Sequence, residues 1–350
     1  MDAPLVLHVS NEPTPLNPRT RFARAFRDLE EQGLIRYECV VPAAGDKLPH
    51  CEQPDLLFVQ SPQSYRWSRR EVLDWLWEAG TPPLVVWEGD AWGGITKPLR
   101  ERNLAWMRCA DEVYSVAMGP QAALLRRACK RPVRYVPNTA PRHFIDDHRD
   151  HPPNGVALIG KRLTYLGVEL IPGDRERYAL ARELQQLPGT RISLYGSGWR
   201  GPAARGPVPF HDQLAVMRQA LITVGWNRYR DHTGYFSDRL PIALCAGRPH
   251  VGSRHPGLDW LPGPDRGLHL MDSPRAAADR VRDLLTQDPG ELLDTAAQLS
   301  RWAAESLTET QALLHMLGPH IPLPAPPADP WAAFGEDYAT GRSERSFAKS

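Results

Sequence analysis

Long apolar runs, paired cysteines and an excess of one charge sign are all missing from this chain of 350 residues. No stretch approaches the ~18 consecutive apolar residues that a membrane-spanning helix needs. The N-terminus lacks the basic segment and the long apolar run of a signal peptide. The 42 basic and 41 acidic residues nearly cancel, so the composition does not point to nucleic acid. These absences predict a cytoplasmic protein without a membrane span.

The five cysteines are scattered and form no Cys-x-x-Cys pair. A disulfide framework or a zinc ribbon is therefore not expected, and a reducing compartment fits best. His232, His250 and His255 lie near one another in sequence but lack metal-ligand spacing, so no metal site is predicted. His8 falls inside an apolar strand pattern and is predicted to be a packed core histidine.

What the sequence does contain is a repeated alternation of short apolar strands with helices of ~10–15 residues. This pattern is typical of parallel sheets covered on both faces. Because the alternation restarts near residue 155, we predict an α/β protein with two doubly wound Rossmann-like domains facing a cleft. The predicted boundaries are 1–145 for the N-terminal domain, 154–317 for the C-terminal domain and 318–350 for a Pro-rich, polar tail that lies on the surface or is disordered.

Two glycine-containing turns follow predicted strands in the second half. In Gly160-Lys161-Arg162, a glycine allows close backbone approach and two cations can neutralise a diphosphate. In Gly196-Ser197-Gly198-Trp199, the glycines keep the loop low, so that amides can face an anion or a sugar. Each motif also fits a plainer interpretation, a solvated basic turn for the first and a tight turn anchored by a buried tryptophan for the second.

The segment from Gly234 to Gly247 is the most informative in the chain. Ser237 is predicted to cap a helix that ends at Gly247, and a helix N-terminus attracts anions. Arg239 has the geometry to hold a phosphate through two hydrogen bonds. The alternative is an ordinary capped helix with a solvated arginine.

Glu88 and Asp90 lie at the end of a predicted strand in the first half, between Trp87 and Trp92. A carboxylate beside aromatic rings can have a raised pKa and act as a base, and aromatic rings stack on sugars. A turn-capping aspartate explains the same pattern.

The order of these motifs resembles the C-terminal domain of GT-B-fold glycosyltransferases, near the spore-maturation CgeB-like and family-4-like group. The resemblance rests on Gly-Lys-Arg after one strand and Tyr-Gly-Ser-Gly-Trp after the next, then on Gly-Tyr-Phe-Ser-Asp-Arg-Leu, Ala-Leu-Cys-Ala-Gly-Arg-Pro and His-Pro-Gly-Leu-Asp-Trp-Leu. Val136-Pro137-Asn138 matches the motif that precedes the interdomain linker in that family.

The resemblance implies a transferase that moves a sugar from a nucleotide-sugar donor, without a metal or another cofactor. The acceptor is a small molecule, a glycan, a protein or a modified nucleic acid. Asp90 is the first candidate for the base and Glu88 the second, and Asn11, Arg19 and Trp92 are acceptor-side candidates. The donor-binding residues implied are Gly160, Lys161, Arg162, Gly196, Ser197, Tyr235, Ser237, Asp238, Arg239, Gly257 and Leu258.

One position departs from the family pattern. Relatives often carry Arg-x-Phe-Glu-Ala-Leu with the glutamate on the donor ribose, whereas here Ile242 takes the place of the acid. This favours, as an alternative, a non-catalytic protein that binds a nucleotide or sugar. A further alternative is an enzyme acting on a polymer such as a glycan or modified DNA, with an anionic acceptor facing arginines at positions 66, 69, 70, 126, 127, 131 and 134.

Overall fold

The computed structural model describes residues 3–10, 21–42, 53–60, 67–92, 98–99, 101–141, 144, 154–164, 166–229 and 231–339. The strands are β1 Leu5–Val9, β2 Arg36–Val40, β3 Leu56–Gln60, β4 Leu84–Glu88, β5 Glu112–Ser115, β6 Val133–Tyr135, β7 Val156–Ile159, β8 Ile192–Tyr195, β9 Ala204–Gly206, β10 Ile222–Gly225, β11 His250–Ser253 and β12 Leu268–Met271. The helices are α1 Arg21–Glu31, α2 Arg69–Glu78, α3 Glu101–Cys109, α4 Pro120–Cys129, α5 Pro172–Gln185, α6 Gln213–Gln219, α7 Arg239–Cys245, α8 Pro274–Leu285, α9 Pro289–Ser306, α10 Glu309–Leu317 and α11 Pro330–Ala339.

The chain divides into two compact units, each built on one six-stranded parallel sheet. Unit 1 comprises Met1–Pro141, His232–Tyr235 and Thr308–Ser350, and its sheet has the order β2-β1-β3-β4-β5-β6. Unit 2 comprises Arg142–Asp231 and Phe236–Leu307, and its sheet has the order β12-β11-β10-β7-β8-β9. The inner strands are almost entirely apolar and buried, as parallel strands covered on both faces must be. The predicted α/β class with two doubly wound domains is confirmed.

Local signals placed several helices correctly. Ser68 caps α2 and forms a capping box with Glu71, and Ser273 caps α8 by accepting a hydrogen bond from the amide of Ala276. The sequence of Glu291–Leu317 by itself predicts one long helix, whereas the structure has two helices there. The break occurs at Thr308, which caps α10 in a second capping box with Gln311. Helix α3 and strand β9 were not predicted from the sequence.

The C-terminal segment is more ordered than its composition suggests. Helix α11 lies within the tail, and Trp331 at its start is buried. The rings of Phe334 and Tyr135 meet edge to face at 5.0 Å, which fastens α11 to strand β6. We expected the second domain to end at residue 317. In the structure it ends at Leu307 and α10 belongs to unit 1, where Thr308 pairs with Ala140 in a β-bridge.

His8 is a buried core histidine, as predicted. Its two ring nitrogens lie 3.0 Å from the Tyr37 hydroxyl and 3.0 Å from the Gln60 amide oxygen. Burial lowers the pKa of His8 to about 3, so the imidazole is neutral at pH 7. No helix of the described residues is long and apolar enough to cross a membrane. The cysteines that the structure describes are free thiols.

Candidate functional site

A cavity in unit 2 lies where three neighbouring strands of its sheet end. Ile159, Gly225 and Ser253 are the last residues of β7, β10 and β11, and all three line it. Ligands of open α/β sheets bind outside the carboxyl ends of the strands, so this is the expected position for a binding site. The polar side chains that line the cavity are Arg177, Asn227, Ser237, Arg239, His250 and Ser253.

Arg239, the residue singled out from the sequence, lines this cavity at the start of α7. Its Nε is buried and has no hydrogen-bond acceptor among the residues that the structure describes. One terminal nitrogen lies 3.7 Å from the Asp238 carboxylate. A buried guanidinium nitrogen without an acceptor is costly, and an anionic group entering the cavity would satisfy it.

The predicted capping role of Ser237 is wrong. Asp238 directly precedes α7, and neither side chain makes a capping hydrogen bond. Instead, the Ser237 amide donates to the Asn227 side-chain oxygen at 3.2 Å. Ser237 still lines the cavity with Arg239, so the two residues are together at the site without the geometry of a capped helix.

Asn227 organises the polar side of the cavity and was missed in the sequence. It follows β10, and its backbone amide donates to the Ser253 hydroxyl at 3.0 Å. That hydroxyl lies 2.9 Å from Nε2 of the buried His255. Asn227 thus ties the end of β10 to the end of β11 and, through Ser237, to α7. A polar residue directly after a predicted buried strand was the available signal.

Arg177 is the second residue that sequence analysis missed. Its guanidinium donates twice to the Trp226 carbonyl, at 2.8 and 2.6 Å, and once to the Lys161 carbonyl, at 2.8 Å. It therefore fastens the loops that follow β7 and β10, which are adjacent strands. In the sequence, Arg177 is one of several charges on an amphipathic helix, and nothing in the pattern marks it as buried.

A buried acid, Asp174, lies beside Arg177. Asp174 lies 3.5 Å from Arg177 and 3.0 Å from Nε of Arg228. Burial raises the pKa of Asp174 from its usual 3.8, while the two arginines oppose that rise. The group is thus a buried network of one carboxylate and two guanidiniums.

The two glycine turns predicted from the sequence pack against each other. The Arg162 amide donates to the Ser197 carbonyl at 2.9 Å, and the Trp199 ring nitrogen donates to the Gly160 carbonyl at 2.6 Å. Gly196 has φ +123°, and a Cβ there would lie 2.4 Å from the Gly160 carbonyl oxygen. Glycine is required by both the backbone conformation and the close approach.

The cations of the first turn have different surroundings. Lys161 is exposed, as is Ser197 in the facing turn. Arg162 donates to Glu169 at 2.8 Å, and its guanidinium lies 4.0 Å from the centre of the Tyr178 ring. Arg162 therefore has two partners within unit 2, which leaves Lys161 as the more accessible charge of the pair.

The remaining donor-side candidates fall in two places. Leu258 is buried and lines the cavity, and Gly257 before it has φ +73°. Tyr235 is grouped with unit 1.

Ile242 is fully buried inside α7, where an acid would need a buried partner. The isoleucine is thus a core residue, and the pattern of relatives does not apply at that position.

The carboxylates predicted as catalytic candidates lie at the end of β4 in unit 1. Glu88 is fully buried and accepts a hydrogen bond from the Asp90 amide at 3.0 Å. Gln121 accepts from the Trp92 amide at 2.7 Å and donates to the Asp90 carbonyl at 2.8 Å. Glu88 therefore holds the turn, and Asp90 and Trp92 are fixed beside it. Asn11 and Arg19 lie outside the described residues.

The comparisons with known proteins agree with this architecture. Residues 175–310 match the model of a family described as glycosyl transferase-like. HepE from Anabaena, solved with UDP and glucose, is 13% identical over 90% of this chain and 99% of its own, with a TM-score of 0.58. T4 phage BGT, solved with UDP-glucose, is 12% identical over 91% and 99%, with a TM-score of 0.56.

A further solved structure is a DNA-modifying beta-glucosyltransferase, studied with and without its substrate uridine diphosphoglucose. It is 14% identical over 91% of this chain and 99% of its own, with a TM-score of 0.54. No protein with a curated function matches the sequence. The matches confirm the predicted resemblance to GT-B glycosyltransferases, while the CgeB-like subgroup stays a prediction.

Proposed function

Since residues 175–310 form a glycosyl transferase-like domain and the chain has the GT-B fold, we propose that the protein transfers a sugar from a uridine-diphosphate sugar to an acceptor. The solved relatives hold UDP, UDP-glucose or UDP with glucose, and UDP-glucose is therefore the first donor to test. The proposed donor site is the carboxyl edge of the unit 2 sheet, over the cavity that Asn227, Ser237 and Arg239 line.

The observation that carries this proposal is the buried Nε of Arg239. Arg239 lines a cavity at the carboxyl ends of three parallel strands, and its Nε lacks an acceptor among the described residues. A diphosphate supplies charged acceptors that match a guanidinium. Exposed Lys161, which follows β7, adds a second cation at the same carboxyl edge of the sheet. We propose that these cations take the place of a metal ion in balancing the donor's charge.

The test is titration calorimetry with UDP-glucose and UDP, in the presence and absence of a chelator. We expect Arg239→Gln to weaken binding by about 10- to 100-fold, because hydrogen bonds between charged groups contribute about 1.5–3 kcal/mol. Arg301→Gln is the matched control, since Arg301 is an exposed arginine of α9 in the same unit. Equal affinities for the two variants would refute the role of Arg239, and loss of binding with chelator would refute metal independence.

On the acceptor side, we propose Asp90 as the base or acceptor-positioning group, with Trp92 beside it and Glu88 as the residue that holds the turn. Because the scattered free thiols fit a reducing compartment, we propose the cytoplasm as its location.

A polymeric acceptor is the second candidate function. Arg126 and Arg127 of α4, Arg134 of β6 and Arg131 between them are all exposed in unit 1, and one structural relative is a DNA-modifying enzyme. Binding of an anionic polymer that falls steeply with salt would favour it, whereas salt-insensitive or absent binding would favour a small acceptor.

A further inference from the structure

One loop of unit 2 exposes three aliphatic side chains within five residues. Leu166 is fully exposed, and Val168 and Leu170 are each more than half exposed. They belong to what we call the apolar loop, residues 166–171, which runs from the Gly160-Lys161-Arg162 turn toward α5. Clustered apolar side chains at a surface mark an interaction site, whereas single ones need no explanation.

The apolar loop is fastened from its inner side. The Glu169 carboxylate accepts from Arg162 at 2.8 Å, and the Glu169 carbonyl accepts from Nε of Arg175 at 2.6 Å. Side chains alternate between the two sides of an extended segment. With Glu169 bound inward, Val168 and Leu170 are directed outward, so their exposure is a property of the fold.

The tip of the loop is held in an uncommon backbone conformation. Leu166 has φ +51° and Gly167 has φ +84°, both in the left-handed region. A bulky residue such as leucine rarely adopts this conformation. The turn holds Leu166 away from the core of unit 2, where its side chain is fully exposed.

The exposed charge beside the apolar loop is positive. Lys161 and Arg175 flank the apolar loop in the chain and are exposed, and Arg175 donates to the Glu169 carbonyl within the loop. The neighbouring acids are occupied, because Glu169 is paired with Arg162 and Asp174 with Arg228. Aliphatic side chains next to exposed cations suit a bilayer with anionic headgroups, which offers hydrocarbon and negative charge in one plane.

We propose that the apolar loop is a membrane-contact loop that inserts Leu166, Val168 and Leu170 into the surface of an anionic bilayer. Arg175, which contacts the loop through the Glu169 carbonyl, then lies at headgroup level. The contact is peripheral and reversible, since only three aliphatic side chains enter the membrane. It goes beyond the proposed sugar transfer and does not depend on it, but it would bring the Gly160-Lys161-Arg162 turn close to the lipid surface.

The test is flotation of the full chain with vesicles of phosphatidylcholine alone or with one third phosphatidylglycerol. We expect binding to the anionic vesicles that weakens with salt, and little binding to the neutral ones. The triple variant Leu166→Ser, Val168→Ser, Leu170→Ser should bind anionic vesicles at least about tenfold more weakly. The matched control is Leu73→Ser, Trp77→Ser, which removes exposed apolar side chains from α2 in unit 1 and should bind as the wild type does.

Three results would overturn the proposal. They are no binding of the wild type to anionic vesicles, equal binding to neutral ones, and equal loss in the loop and control variants. The absence of vesicle binding would direct the search toward a protein partner for the apolar loop. UDP-glucose titration of the triple variant keeps the two proposals separate. Intact donor binding with lost vesicle binding supports the membrane contact, and absent donor binding in the wild type refutes only the proposed function.

Discussion

Removing Arg177 tests whether a single buried arginine holds the donor loops in place. In the wild type, its guanidinium makes three hydrogen bonds to the carbonyls of Trp226 and Lys161 and contacts Asp174. Arg177→Ala removes these donors together and leaves the buried carboxylate with Arg228 as its remaining cation. Breaking one partner of a buried charge network costs about 3–5 kcal/mol, so we expect a loss of that size in the free energy of unfolding.

The assay is urea unfolding followed by tryptophan fluorescence, in parallel with UDP-glucose titration. Arg182→Ala is the matched control, because Arg182 is an exposed arginine of the same helix and its loss should cost less than about 0.5 kcal/mol. Arg177→Lys should fall between the two, since lysine keeps the charge but lacks the planar fork. Donor affinity should fall with Arg177→Ala and remain with Arg182→Ala.

The pH dependence supplies a second readout. The native pKa of Asp174 is raised above 3.8, so the folded protein holds this proton more tightly than the unfolded chain does. The free energy of unfolding therefore falls as pH rises from 3.8 through the raised pKa, and is level above it. Losing Arg177 removes a cation that lowers this pKa, so the pKa of Asp174 rises further. The free energy of unfolding at high pH is then reduced further. The destabilisation should be smaller near pH 4 than at pH 7.5. A destabilisation no larger than that of Arg182→Ala, or one independent of pH, would refute the reasoning.

Two further predictions concern unit 1. The pKa of buried His8 is lowered to about 3, so its contribution to stability is complete above pH 6.5 and is lost as pH falls from 6.5 through 3. In urea titrations, His8→Leu should reduce this loss by up to about 1.4 kcal/mol per pH unit. An unchanged dependence of the free energy of unfolding on pH would contradict the prediction. Trp331→Ala should lower the free energy of unfolding by about 3–5 kcal/mol because the ring is buried, whereas Trp77→Ala, at an exposed position, should lower it by under about 0.5 kcal/mol in the same denaturation assay. Equal losses would contradict the packing role of α11.

The sequence predicted features that depend on near neighbours. Strand β1, the cap at Ser68 and the tight turn at Gly196 follow from apolar runs, capping residues and glycine, and each is present in the structure. The break at Thr308 carried a readable signal too, since Thr308 and Gln311 form a capping box. The continuous apolar pattern on either side of the break hid it.

The site was less predictable because its key contacts join distant residues. Arg177 contacts Trp226 across 49 positions, and Asn227 contacts Ser253 across 26. Nothing local distinguishes such an arginine from the solvated ones around it. Arg239 was found because it stands beside a predicted helix start, but the capping role given to Ser237 was wrong because Asp238, not Ser237, directly precedes α7.

The return of the C-terminal residues to unit 1 has a consequence for biosynthesis. Unit 2 is complete once Leu307 has been made, whereas unit 1 still lacks α10 and α11 at that moment. The edge strand β6 therefore waits for Phe334, which is made after all of unit 2. Domains fold as units during synthesis, so unit 2 should reach its native state first. Unit 1 is therefore begun before unit 2 and completed after it, and a nascent chain stalled before α11 should expose unit 1 to proteolysis.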